Sequence, residues 1–176
     1  MTPKPLSERG PLVFYGGGSP AAARRAARFD MPLFAQHGDP SVPEAYQRAR
    51  AELGLGKGLA LAPPATGPGT VFVSEDPDRT WDRIGEHLLY EATVYSSWQQ
   101  GVTSAVHDHS ATVEEMRDAG VYAVMTPDEC VEFTERIGPL DPVTTHPLCG
   151  GIPPDVSWEH LRLLGEAVIP RVKAAA

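Results

Sequence analysis

The sequence predicts an α/β chain built on parallel strands, and three observations carry that prediction. Short apolar runs of strand length alternate with segments of helical periodicity. The connections between them are short. Three helices open on a capping residue followed by proline, at Ser19-Pro20, Asp76-Pro77 and Thr126-Pro127. Parallel strands need crossover segments, which helices supply, so this alternation selects a parallel sheet covered by helices.

Leu12 to Tyr15 reads as a buried strand running into Gly16-Gly17-Gly18, after which Ser19 caps a helix from Ala21 to Phe29. A second apolar run covers Met31 to Ala35. Ser41-Val42-Pro43-Glu44 has the spacing of a capping box and opens a helix that stops near Leu53, before Gly54. Residues 54–69, rich in Gly, Pro and Ala, read as a loop. Thr70 to Ser74 is a strand, and Asp76-Pro77 starts a long helix to about residue 98. In that helix Trp81, Ile84, Leu88, Ala92 and Tyr95 recur at three- and four-residue steps and make one buried face. A polar stretch, Gly101 to Ser110, precedes a short helix (Val113 to Ala119) and a strand (Val121 to Met125). Thr126-Pro127-Asp128-Glu129 opens the next helix, Val143 to His146 is the last strand, and Asp155 to Lys173 the last helix. No repeat and no linker divides residues 1–176, so one domain is expected.

The bulk features narrow the function. The chain has 176 residues and a net charge of −8 with no basic cluster, which argues against nucleic acid or an anionic membrane as partner. No apolar run approaches the roughly 20 residues of a membrane span, and Met1 to Pro5 lacks the apolar core of a signal peptide. Two cysteines, Cys130 and Cys149, form no disulfide framework. A soluble cytoplasmic protein is the expectation.

Strand, three glycines, capping serine and helix is the layout of an anion site. Glycines let an anion approach the backbone, and the first-turn amides with the positive end of the helix dipole face it. Gly16, Gly17, Gly18 and Ser19 are therefore the candidate phosphate contacts, the alternative being a tight turn without ligand. Gly16, Gly18 and Ala21 also fit a loose dinucleotide fingerprint, with Asp39 as a ribose-binding acid, which makes an NAD(P)-binding domain the structural rival.

The segment His146-Pro147-Leu148-Cys149-Gly150-Gly151 follows the last strand, and carboxyl ends of parallel strands are where α/β folds bind ligands. His146, Cys149, Gly150 and Gly151 are candidate pocket residues, as are Gln36 and His37 after the second strand. His146 as a base and Cys149 as a nucleophile are the catalytic candidates, against a local turn with a buried Cys. His107-Asp108-His109 has ligand residue types but no third or fourth partner at metal spacing, so no metal site is expected. Arg24, Arg25 and Arg28 read as a solvated helix face.

Four stretches in this order resemble the luciferase-like flavin-dependent monooxygenase superfamily, which includes deazaflavin-dependent oxidoreductases. They are Leu12 to Ala22, Val71 to Pro77, Thr126 to Glu129, and His146 to Pro154. The resemblance covers nearly the whole chain and only the C-terminal half of the family's domain. It implies the parallel-strand half of a TIM (β/α)8 barrel, beginning near the fifth strand, of a fold that typically needs about 250 residues. It further implies that Gly16 to Ser19 hold the phosphate of FMN or of a deazaflavin, and that the loop after His146 lies at the catalytic mouth. The implied chemistry is oxidation of a small organic substrate. A half barrel leaves sheet edges uncovered, so self-association or a separate N-terminal half is the expected partner. A non-catalytic flavin-binding or interaction protein is the alternative.

Overall fold

The computed structural model describes residues 4–7, 10–64, 66–98, 108–138 and 141–175. The chain is α/β, with two small parallel sheets and helices that make up most of the regular structure.

The first sheet has the order β1-β2-β3, with β1 (Tyr15–Gly17), β2 (Leu33–Ala35) and β3 (Ala60–Leu61) all parallel. The crossovers are α1 (Pro20–Arg28) and α2 (Ser41–Glu52). Alanines on both helices let them approach closely, and Ala23, Ala26 and Ala27 pack with Ala45, Tyr46 and Ala49 over Leu33 and Ala35. The Ser19 hydroxyl accepts from the Ala22 amide (3.3 Å) and caps α1 as the sequence predicts. The start of α2 differs. Pro40 is the cap, Ser41 is the first helical residue, and the Asp39 carboxylate takes the Ser41 amide (2.8 Å), so the expected capping box is replaced by an aspartate turn.

Two boundaries also shift. Residues 54–69, expected as loop, contain β3. The first strand begins at Tyr15 rather than Leu12, and Leu12 and Val13 are exposed. β1 is an edge strand, so the apolar run preceding it meets no partner strand among the described residues.

The second sheet pairs β4 (Thr70–Val73) with β5 (Tyr122–Met125), again parallel. All four β4 residues are buried, because the sheet is covered on both faces. Phe72 faces Trp81, Ile84 and Leu88 of α3 (Pro77–Trp98), with Met116 of α4 (Val113–Ala119). Val71 and Val73 face Cys130, Val131 and Phe133 of α5 (Pro127–Ile137). The capping box at Thr126 and Glu129 is present in both directions, and the predicted buried stripe of α3 holds at Trp81, Ile84, Leu88 and Ala92. Among the described residues no helix is long and apolar enough to cross a membrane.

The last helix is interrupted. α6 (Pro154–Leu163) and α7 (Ile169–Ala175) are joined by a π turn over Leu164–Val168, in which the Ile169 amide reaches back to the Leu164 carbonyl. Pro170 explains the wider turn, since its ring cannot sit against the carbonyl four residues earlier.

Val143 to His146, expected as a strand, forms only one rung, from the Val71 amide to the Thr144 carbonyl (2.9 Å). The next inward donor of β4, the Val73 amide, goes instead to Nδ1 of His160 on α6 (2.8 Å), and the His146 carbonyl accepts from Cys149 (3.0 Å). With both groups committed elsewhere the ladder stops. The described strands thus form two sheets rather than one curved sheet. Between β3 and β4 the chain has only the Pro- and Gly-rich residues 62–69, too short for the crossover that parallel neighbours require.

His160 is 4% exposed, and its tautomer follows from its partners. Nδ1 accepts from Val73, so Nε2 carries the proton and donates to the Thr145 hydroxyl (2.6 Å). Burial holds its pKa below the ordinary 6.5. The unfolded chain therefore takes up a proton at a higher pH than the folded one. The contribution of His160 is complete above about 6.5 and is lost as pH falls through the lower folded value. Thermal melts from about pH 7 down to about pH 5 should show falling stability. The slope should be shallower in His160→Gln, and an identical slope would remove this role.

Candidate functional site

At the carboxyl edge of the first sheet, the turn after β1 meets the turn after β2. The sequence-predicted residues Gly16, Gly17, Gly18, Ser19, Gln36 and His37 come together here. The three glycines differ in what holds them. A Cβ on Gly17 would lie 2.4 Å from the Ala22 Cβ, and one on Gly18 would lie 2.9 Å from the Gln36 Oε1. A Cβ on Gly16 would meet nothing within 4 Å. Gly17, the last residue of β1, is therefore required by the close packing of α1 on the strand, whereas Gly16 borders open space.

His37 Nε2 donates to the Gly18 carbonyl (3.1 Å), which leaves Nδ1 as an acceptor. That atom is buried without a hydrogen-bond partner among the described residues. Pro20 has no amide, Ala22 is taken by the Ser19 side chain and Ala23 by the Ser19 carbonyl. The Ala21 amide has no intrahelical acceptor. Asp39, the candidate ribose acid, is engaged by Ser41, and that bond holds its carboxyl below the usual range.

The second cluster is built by α3 and the turn at Cys149–Gly151. His146 Nδ1 lies 3.2 Å from Glu91 Oε1, and the other Glu91 oxygen accepts from the Gly150 amide. His87 Nδ1 donates to the Gly150 carbonyl (3.0 Å). Gly150 has φ of +56°, and a Cβ there would lie 1.9 Å from the His87 carbonyl oxygen, so only glycine lets the turn dock on α3. Gly151 also has positive φ but faces open space. Cys149 is 1% exposed. Burial, and then the neighbouring Glu91 carboxylate, push its thiol up to about 12, so at neutral pH it is a thiol rather than a nucleophilic thiolate.

His146 lines a cavity of about 100 Å³ with Thr70, Glu91, Tyr95 and Tyr122. Thr70 and Tyr122 are the first residues of β4 and β5. The cluster thus sits at the amino-terminal edge of its sheet, where the sequence reading expected the carboxyl edge. The single-rung pairing of residues 143–146 with β4 is the reason, since that segment never extends as a further parallel strand.

The carboxyl end of β4 carries a larger cleft of about 380 Å³, lined in part by Ser74, Asp76, Arg79, Arg83 and Glu159. Arg83 is neutralised there by Glu159 (2.6 Å) and Asp155 (3.6 Å). Of the sequence motif His107-Asp108-His109, His107 lies outside the described residues. The Asp108 carboxylate accepts from the Ser110 amide (2.7 Å).

Comparison with protein-family models and with curated proteins finds no match.

Glu91 and His160 escaped the sequence reading. Each left a signal: a polar residue set into an otherwise buried helical stripe, Glu91 between Leu88 and Ala92, and His160 one turn from Val156. Gly150→Ala should lower unfolding free energy by about 3 kcal/mol, from overpacking added to left-handed backbone strain. Gly151→Ala should cost only about 1 kcal/mol. Urea unfolding of the two variants checks the contrast, and equal losses would contradict the docking role of Gly150.

Proposed function

We propose that this chain is a luciferase-like oxidoreductase domain of monooxygenase type. It uses FMN or a deazaflavin and acts on a small organic substrate. The supporting observation is the convergence of Gly16 to Ser19 with Gln36 and His37 at the carboxyl edge of β1 and β2. The fit concerns the phosphate end of the cofactor. The first-turn amide of Ala21, which has no intrahelical acceptor, and the positive end of α1 suit an anion, while the open space at Gly16 lies on the other face of β1. His37 closes the same corner, its Nε2 holding the Gly18 carbonyl. The cofactor, when bound, supplies hydride transfer or, with oxygen, monooxygenation.

On this reading the two sheets are walls of the C-terminal half of a (β/α)8 barrel, completed by self-association or by a separate N-terminal half. The outer edge of β1 and exposed Leu12 and Val13 offer the joining surface. The placement of His146 and Cys149 on the amino-terminal edge of the other sheet favours a second reading, in which the chain binds flavin without catalysing a reaction.

Titration with FMN, a deazaflavin cofactor and NAD separates these readings. FMN or the deazaflavin should bind at about micromolar Kd, and Ala21→Pro, which removes the amide at a first-turn position that proline tolerates, should weaken it about tenfold, equivalent to about 1.4 kcal/mol. Riboflavin, which lacks the phosphate, should not distinguish the variant from the parent. Binding of NAD alone, or unchanged affinity in Ala21→Pro, would overturn the assignment. Flavin binding without turnover on addition of reduced cofactor and oxygen would select the second reading.

A further inference from the structure

We propose that Glu91, His146 and Cys149 form a site for one thiophilic divalent cation of the zinc class. One ligand atom from each, a carboxylate oxygen, an imidazole nitrogen and a sulfur, lie within 4.8 Å of one another. Bond lengths of about 2.0–2.3 Å to a tetrahedral ion place donor atoms roughly 3.3–3.8 Å apart. His146 Nδ1 and Glu91 Oε1 already stand 3.2 Å apart, and the 58% exposed His146 side chain has room to move as the pair closes on the Cys149 sulfur.

The donor set selects the ion. A thiolate and an imidazole suit Zn²⁺ or Co²⁺, whereas Mg²⁺ and Ca²⁺ require several hard oxygens, and only one carboxylate is present. Groups behind the ligands hold them in place. The Gly150 amide binds one oxygen of Glu91, leaving the oxygen that faces His146 for the ion, and His87 in turn holds the Gly150 carbonyl. The fourth position opens on the cavity of about 100 Å³ beside Tyr95 and Tyr122, which has room for water or a small ligand. On binding, the Cys149 S–H bond breaks, a sulfur–metal bond forms, and one proton passes to solvent. Because these residues lie on α3 and the turn packed over the second sheet, the site stands independently of the glycine turn after β1.

The test is titration of the full, metal-stripped chain with Co²⁺. The expected result is sulfur-to-cobalt charge-transfer absorption together with the intense visible bands of a tetrahedral ion. These should saturate at a single equivalent, bleach on addition of Zn²⁺, and remain unaffected by Mg²⁺. Cys149→Ser should abolish the charge-transfer band. His146→Ala, at an exposed position that leaves the core intact, should weaken Co²⁺ at least about tenfold. Cys130→Ala, which alters the other cysteine, should keep the band. Absence of the charge-transfer band in the parent chain overturns the proposal. So does its persistence in Cys149→Ser, its loss in Cys130→Ala with the fold retained, or unchanged affinity in His146→Ala. Should Cys149→Ser fail to fold, His146→Ala decides.

Discussion

The Val73 amide gives its hydrogen bond to a histidine ring on α6 instead of to a neighbouring strand, and much of the second sheet depends on that choice. A buried amide must find an acceptor. By supplying one from a helix, His160 fixes α6 against β4 and ends the ladder on that side. Its other nitrogen holds Thr145, which fixes where the chain enters the turn at His146. From there the Cys149 amide takes the His146 carbonyl, and Gly150 seats on the backbone of α3. The cluster of Glu91, His146 and Cys149 is thus a downstream product of one neutral imidazole. A protonated ring would present two donors to each other at Val73 and undo the arrangement.

Elements governed by local chemistry were legible in the sequence. Thr126 with Glu129, Ser19 with Pro20 and the stripe from Trp81 to Ala92 act within a few residues of themselves, so their periods and caps predict what forms. The misreadings involve partners, near or distant in sequence, that the local pattern does not rank. Val143 to His146 has strand composition, but a histidine on another helix takes the donor that would have extended the pairing. Ser41 has a capping-box partner in Glu44, yet Asp39 reaches its amide first. Leu12 and Val13 are apolar enough for a strand and have no described neighbour to pair with. Residue types at the two sites were visible in the sequence, and the turn after β1 does meet the turn after β2. Glu91 left only a faint mark beside the buried stripe, because an acid inside an amphipathic helix resembles an ordinary solvated residue until the facing turn is known.

The glycine-rich segments also divide differently from their composition. Gly17 and Gly150 are demanded by contacts within the protein, Gly151 by its backbone conformation, and Gly16 by none of these. A glycine that the fold does not need is the more informative kind, since its missing side chain leaves room that something else can use.

The separation of the cores bears on how the chain acquires its structure. The first core draws on Tyr15, Ala60, Ala62 and residues between them, and among the described residues nothing from β4 onward enters it. Its contacts are close in sequence, so little loop entropy opposes their formation. During synthesis the described packing partners of this unit are in place before β4 has been made, whereas the second sheet must wait for α6 to deliver His160. The amino-terminal contacts can thus form early, while those that depend on α6 form only once the carboxyl-terminal segment is made.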